Sequence, residues 1–220
     1  MSLVIYGHPF SSYTQKVLIA LYENNTQFEF RCVGDPNEAK HTTDWLSRWS
    51  LRKFPVLVDG NRNIAETSII IEYLQLTHAG PLRLLPEEPM AALDVRFLDR
   101  FFDLHVMNMM QLAVNGALTG DPVKRQEGLT LATEKLELAY AWLEEHLTGK
   151  TWAAGADFTL ADCAAAPSLF YADWTYQIPE KYPVLSAYRA RLLARPSVAR
   201  AVDEARPFRA YFPLGAPDRD

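Results

Sequence analysis

The chain has 220 residues, 49% of them hydrophobic and 22% charged, an ordinary globular balance that excludes a disordered or fibrous protein. Its formal net charge of −5 comes without a basic stripe, which argues against a nucleic-acid partner, and no apolar run approaches the roughly 20 residues that span a bilayer. The two cysteines, Cys32 and Cys163, lie far apart, and the start lacks a basic segment followed by a long apolar one, so a cytoplasmic, reducing setting is expected.

Residues 2–6 (Ser-Leu-Val-Ile-Tyr) form a β-prone run closed by Gly7-His8-Pro9. Polar Ser11, Ser12 and Thr14 precede Val17, Leu18, Leu21 and Tyr22, whose spacing describes one face of a helix opening near residue 12. Residues 27–33 alternate polar and apolar and read as a half-exposed strand. A variable, partly helical stretch with Trp45, Leu46 and Trp49 follows. Residues 54–58 are a strand, Asp59-Gly60 supplies a tight turn, and residues 61–65 return as the partner strand. Residues 66–78 form a helix carrying Ile69, Ile70, Ile71, Tyr73, Leu74 and Leu76.

This order, βαβαββα, predicts a mixed four-stranded sheet whose first two strands are parallel and whose last two form an antiparallel hairpin. The three prolines in residues 79–89 mark a linker. Beyond it, residues 90–118, 122–147, 160–174 and 183–195 show helical periodicity, and the tail from Arg206, with three further prolines, reads as irregular. The expectation is an α/β domain over residues 1–78 and an all-helical one over 90–220.

Four segments of this arrangement resemble the cytosolic glutathione transferases, and the likeness covers nearly the whole chain. It implies a thioredoxin-like first domain that binds glutathione and a helical second domain that carries the second-substrate site. In the serine-using branch (theta- or zeta-like, or a related bacterial-type class), a serine lies six positions before the first buried valine of helix one. With Val17 as that valine the serine is Ser11, followed by Ser12 and Tyr13. Related glutaredoxins and cysteine-using transferases have a cysteine at this point. Its absence here disfavours thiol–disulfide exchange.

A hydroxyl suffices for the implied chemistry, because the nucleophile is the substrate's own thiol, with a pKa of about 8.5 when free. A hydrogen bond to a charged group contributes about 1.5–3 kcal/mol, enough to lower that pKa by roughly one to two units. The positive end of the helix pushes the same way. The bland use of Ser11 and Ser12 is helix capping, which a ligand-facing cap can combine with binding. Tyr6 is the rival, since the tyrosine-using branch places its hydroxyl near the end of strand one. Its alternative use is core packing with a hydrogen-bonded hydroxyl. Tyr13 is a further candidate for the pocket.

The second likeness is Lys53-Phe54-Pro55-Val56-Leu57. In the family the bond before this proline is cis, which implies that the backbone of Phe54 pairs with the cysteinyl unit of glutathione and that Lys53 lies beside the glycine carboxylate. An edge proline and a solvated lysine are the plainer alternative. Where the family often has Asn-Pro-x-Gly, this chain has Trp49, Ser50, Leu51 and Arg52, so that Arg52 replaces a glycine and becomes a second possible carboxylate partner. His41 is another candidate at this end.

The third is Glu66-Thr67 at the start of a helix, where the resemblance implies that Thr67 and the free backbone N–H groups hold the γ-glutamyl carboxylate and Glu66 its ammonium. Ordinary first-turn residues are the alternative. The fourth is structural: Thr159 and Asp162 have capping-box spacing, with Phe158 and Cys163 placed as a hydrophobic staple.

The histidines lack metal-ligand spacing, and neither a metal nor a cofactor beyond co-substrate glutathione is expected. His105 and Met109 on the long helix, joined by Trp174 and Tyr211, are candidates for the second-substrate pocket, which in this family the long helix borders. The implied activity is glutathione S-transferase, stabilising the thiolate for attack on a small hydrophobic electrophile. Glutathione-dependent isomerisation, dehalogenation or lysis, and a non-catalytic binding module, are the alternatives. The resemblance also implies a homodimer with the helices at 66–78 and 90–115 of two subunits facing each other.

Overall fold

The computed structural model describes residues 3–220, so Ser2 of the first expected strand lies outside the described residues. Strand β1 (Leu3–Gly7), helix α1 (Ser12–Glu23), β2 (Phe28–Cys32), α2 (Ala39–Arg48), β3 (Val56–Asp59), β4 (Arg62–Ile64) and α3 (Thr67–Thr77) follow in the expected order. The variable stretch resolves into a 3₁₀ turn at Pro36–Glu38 and helix α2. The sheet runs β2-β1-β3-β4. β1 pairs with β2 in parallel, from Leu3 opposite Phe28 to Gly7 opposite Cys32, while β1/β3 and β3/β4 are antiparallel. Gly60, with φ of 56°, makes the hairpin turn.

Because side chains alternate along a strand, β1 serves two cores. Leu3 and Ile5 join α1, α3 and the helical region in the main cluster, whereas Tyr6 packs with Val33, Trp45, Val56 and Val58 beneath α2.

Eight consecutive residues of α1, Thr14–Leu21, are buried, where the sequence pattern suggested one apolar face. The reason is position: α1 lies between α3, which packs on it from the sheet module, and α7 and α9, which approach from the helical region. A helix covered this way has no solvent face, and its polar residues need partners. Gln15 Nε2 donates to Pro9 O and the Tyr171 hydroxyl, both at 3.0 Å. Lys16, 1% exposed, pairs with Asp99 at 2.6 Å and Asp103 at 2.8 Å and donates to Ser68 Oγ at 3.1 Å. Arg100 adds a second cation against both aspartates, at 2.8 and 3.3 Å. Two cations thus balance two carboxylates where the helical region meets α1 and α3, the condition for burying such charges at tolerable cost.

The helical region comprises α4 (Pro89–Phe101), α5 (Asn108–Leu118), α6 (Pro122–Leu147), α7 (Leu160–Thr175), α8 (Pro183–Leu193) and α9 (Pro196–Ala205). Three features depart from expectation. A π-helical segment, Phe102–Met107, interrupts the long first helix and re-aims the side chains on either side of it. Helix α9 fills residues 196–205, to which the sequence pattern assigned no element; Pro196 is its first residue, where the missing N–H costs nothing. The tail is ordered as a 3₁₀ stretch, Arg206–Tyr211. The expected capping box is present at α7, and Phe158 and Cys163 are both buried in the main cluster.

Candidate functional site

The turn between β1 and α1 is compact by necessity: a Cβ on Gly7 would sit 2.7 Å from the Thr14 side chain. Ser11 N donates to His8 O at 2.9 Å, and Ser11 Oγ accepts from Thr14 N at 3.3 Å, so Ser11 is the N-cap of α1. That bond uses an oxygen lone pair and leaves the hydroxyl proton available. Ser12 is the first helical residue, and both serines are partly exposed. The first turn of α1 holds no acidic residue, so nothing on the helix itself offsets its positive end.

Tyr13, in the same turn, donates its hydroxyl to Asn108 Oδ1 at 3.0 Å, tying α1 to α5. Burial, then the nearby Asp103 carboxylate, push its pKa to about 12, against the pull of Arg100. It is a neutral tether with its proton committed. Tyr6 is placed otherwise than the rival assignment needs. The residue is 0% exposed, on the α2 side of the sheet, and its hydroxyl accepts from Arg31 Nη1 at 2.6 Å. A hydroxyl so enclosed cannot meet a sulfur bound at the surface; the parity of β1 sends Tyr6 into the core.

The segment before β3 forms a second wall. Trp45 Nε1 donates to Lys53 O at 3.0 Å and the Trp45 ring packs edge-on to Phe54, which fixes a loop whose Arg52 and Lys53 side chains are exposed. The Phe54–Pro55 bond is cis. Sheet pairing of β3 begins at Val56, leaving Phe54 outside the ladder. Arg52 has φ of 55°, the left-handed conformation a glycine would adopt freely. Arg52→Gly is therefore expected to raise stability by about 1 kcal/mol, a few degrees in Tm. If Arg52 also reaches a ligand carboxylate, the Kd for glutathione rises about two- to fivefold, as losing an exposed ion pair would cause. Thermal melting and calorimetry measure the two effects separately. His41 stands half-buried on α2, with Glu38 of the preceding turn as its charged neighbour at 3.8 Å.

The third wall is the start of α3. Glu66 precedes the helix with φ of 68°, makes no side-chain cap bond, and is followed by buried Thr67 and Ser68. A non-glycine residue in this region is strained, and such strain collects where backbone groups must face a ligand. Glu66, Asp103 and Arg100 all act electrostatically on Tyr13. Ser68 Oγ in the first turn of α3 accepts from Lys16 of α1 at 3.1 Å and donates to Asp99 of α4 at 2.7 Å, so the first turns of α1 and α3 meet the end of α4. The sequence reading missed Arg100, Asp103 and the Lys16–Asp99–Ser68 contacts behind them. The available signal was the Asp99-Arg100-x-x-Asp103 spacing, which sets two carboxylates one helical turn apart.

The candidates for a second-substrate pocket divide. His105 lies against Phe101, which stacks on Trp142 of α6, so His105 faces α6 and not the first module. Trp174 is a core residue, enclosed by Phe10, Phe170 and Phe212 rather than lining an open pocket. Met109 is partly buried against the main core. Tyr211 is 66% exposed and meets Phe208 and the His8 ring beside the β1–α1 turn.

Sequence profiles described as the glutathione S-transferase N-terminal and C-terminal domains match residues 5–82 and 124–191. A probable maleylacetoacetate isomerase of Vibrio cholerae is 30% identical, covering 94% of this chain and 98% of its own. A probable glutathione S-transferase of Glycine max is 27% identical, covering 96% and 91%. Among solved structures, a glutathione transferase homologue of Drosophila mojavensis with bound glutathione superposes with a TM-score of 0.81 at 24% identity, covering 98% of each chain.

Proposed function

Because this chain belongs to the glutathione S-transferase family, we propose that it is a glutathione transferase that holds the glutathione thiolate at the start of α1 for attack on a small hydrophobic electrophile. The observation that carries this reading is Ser11: a cap whose oxygen serves the helix while its proton stays available, at a helix end with no acidic residue in its first turn. The γ-glutamyl end of the tripeptide would lie at Glu66 and Thr67, its cysteinyl backbone along Phe54, and its glycine carboxylate near Arg52 and Lys53. Donors and charges of the right sign stand at each point. Glutathione is the co-substrate, and this chemistry calls for no separate cofactor.

The same site would serve glutathione-dependent isomerisation, the activity named for the Vibrio relative. Calorimetric titration with glutathione, followed by turnover of a chromogenic aryl halide and of a cis-enone, separates the possibilities. Binding with aryl-halide turnover supports the transferase. Consumption of the enone without loss of glutathione points to an isomerase. Binding with neither leaves a carrier, and no binding ends the proposal.

We also propose a homodimer. Ile69 and Leu76 on α3 and Met90, Leu93 and Phe97 on α4 are large exposed apolar side chains, the faces expected to meet a second copy. Sedimentation should give twice the chain mass, and Phe97→Glu should shift it toward the monomer. A cytoplasmic location fits two unpaired cysteines, Cys32 and Cys163, and helices among the described residues too short or too polar to cross a membrane.

A further inference from the structure

The β1–α1 turn carries a side chain that the thiol chemistry above does not use. His8 stands three residues before Ser11, and its carbonyl accepts the Ser11 N–H at 2.9 Å, so its backbone belongs to the same turn as the capping hydroxyl. Its Nδ1 accepts from Phe10 N at 3.1 Å. A ring nitrogen that accepts carries no proton, so the imidazole is neutral and its one N–H is on Nε2. Burial lowers the His8 pKa, which keeps that form at neutral pH. Nothing among the described residues accepts from Nε2, and the residue is partly exposed, so this donor is free to meet a ligand.

The ring also has a defined setting. Phe208 meets it edge-on at 4.7 Å, Tyr211 lies 6.1 Å away, and the two aromatic rings are 5.9 Å apart. They belong to the 3₁₀ tail, which Asp220 secures through Arg206 at 2.9 Å and through Arg209. A planar, partly apolar molecule beside the thiol would find an aromatic wall with a single N–H donor set into it.

We propose that His8 is a hydrogen-bond donor to the second substrate, and that its Nε2–H selects α,β-unsaturated carbonyl compounds by binding the oxygen on which charge develops. The inference rests on the glutathione reading of the site. The sulfur forms a bond to the β-carbon, the C=C π bond breaks, and its electron pair ends on the carbonyl oxygen as an enolate. The enolate oxygen accepts from Nε2–H, with His8 keeping its proton throughout. The α-carbon then takes a proton from water, and the proton released when the thiol ionised neutralises the hydroxide formed. Nothing leaves, and no oxidant or reductant is consumed. Donors aimed at developing oxyanions are among the larger contributions an active site makes. An alkyl halide, which develops no oxyanion on carbon-bound oxygen, draws nothing from this bond.

The test compares kcat/KM for an enone and for an alkyl halide, both with glutathione, in the wild type, His8→Phe and His8→Gln. Phenylalanine keeps the aromatic wall and removes the donor; glutamine restores an N–H near the Nε2 position. The enone-to-halide ratio is expected to fall about 10- to 100-fold in His8→Phe, mainly through kcat, and to recover in large part in His8→Gln. An unchanged ratio in His8→Phe overturns the proposal while leaving the glutathione site standing. Loss of both activities together with glutathione binding also overturns it, since His8 would then hold the turn that carries Ser11 and not the second substrate; failure of the wild type to bind glutathione is what ends the glutathione reading. Should His8→Phe fail to fold, ¹⁵N NMR of the wild-type imidazole decides. Binding of the saturated ketone conjugate of glutathione should shift the Nε2 resonance and leave the tautomer unchanged. No shift, or a proton found on Nδ1, sinks the idea.

Discussion

Ser11→Ala is expected to lower kcat/KM for glutathione conjugation by about ten- to a thousandfold, the cost of losing a hydrogen bond to a charged group that strengthens as sulfur becomes anionic. The same change removes the cap of α1, so stability should also fall by about 1 kcal/mol. Two companion variants keep these effects apart. Ser11→Thr retains both cap and donor and should preserve most of the rate. Ser11→Asp retains a capping oxygen, loses the donor at neutral pH and adds a negative charge beside the sulfur. It should melt near the wild type yet be at least as inactive as alanine. Steady-state kinetics beside thermal melts read both quantities. An inactive, fully stable aspartate variant separates the rate from the order of α1, and an active threonine beside an inactive alanine assigns it to the hydroxyl.

The largest stability effect is expected away from the glutathione site. Asp162 is 0% exposed, and its carboxylate accepts from Ala153 N at 2.8 Å, Thr159 N at 2.9 Å, Thr159 Oγ1 at 3.2 Å and Tyr188 OH at 2.6 Å. It closes the capping box of α7 and also pins the turn before that helix and one side of α8. Asp162→Ala leaves several buried donors without partners. Each such group costs about 1–3 kcal/mol, so the total should reach about 3–5 kcal/mol, or ~10 °C in Tm. Asp162→Asn, which preserves shape but turns one acceptor into a donor, should cost less. Tyr188→Phe removes one of the four bonds and should cost only about 1 kcal/mol. A Tm loss of a degree or two for Asp162→Ala would mean that water replaces the lost oxygens and that the carboxylate contributes little.

What was legible in the sequence was local or strictly periodic. The βαβαββα order followed from hydrophobic period and turn residues. Ser11, Thr159 and Asp162 were legible because a cap and its partner lie within four residues. The replacement of a family glycine by Arg52 stood out as a departure from the family's pattern, and its φ of 55° accounts for that glycine in backbone terms. Tyr6 was ambiguous because both faces of β1 are covered, and only its enclosure beneath α2 with Arg31 on its hydroxyl decides between core and ligand.

The remainder depended on contacts across long stretches of chain. Lys16 reads as an ordinary exposed residue of an amphipathic helix, and becomes a buried cation only because Asp99 and Asp103 come to it from α4 and the π segment. His8 acquires its aromatic neighbours from a tail 200 residues away. His105 lies within the π segment, whose wider turn changes the angular offset between the residues on either side of it, a shift that 3.6-residue periodicity does not anticipate. Helix α9 opens on a proline directly after α8, and the same letter serves to end one helix and to begin another.

The most direct measurement is the titration of bound glutathione, following thiolate absorbance against pH in the wild type, Ser11→Ala and Ser12→Ala. The wild-type complex should ionise about one to two units below the free thiol value of about 8.5, and Ser11→Ala should return most of the way to it. A wild-type complex that ionises like free glutathione, or an undiminished shift in Ser11→Ala, would contradict the assignment of thiolate stabilisation to the Ser11 hydroxyl.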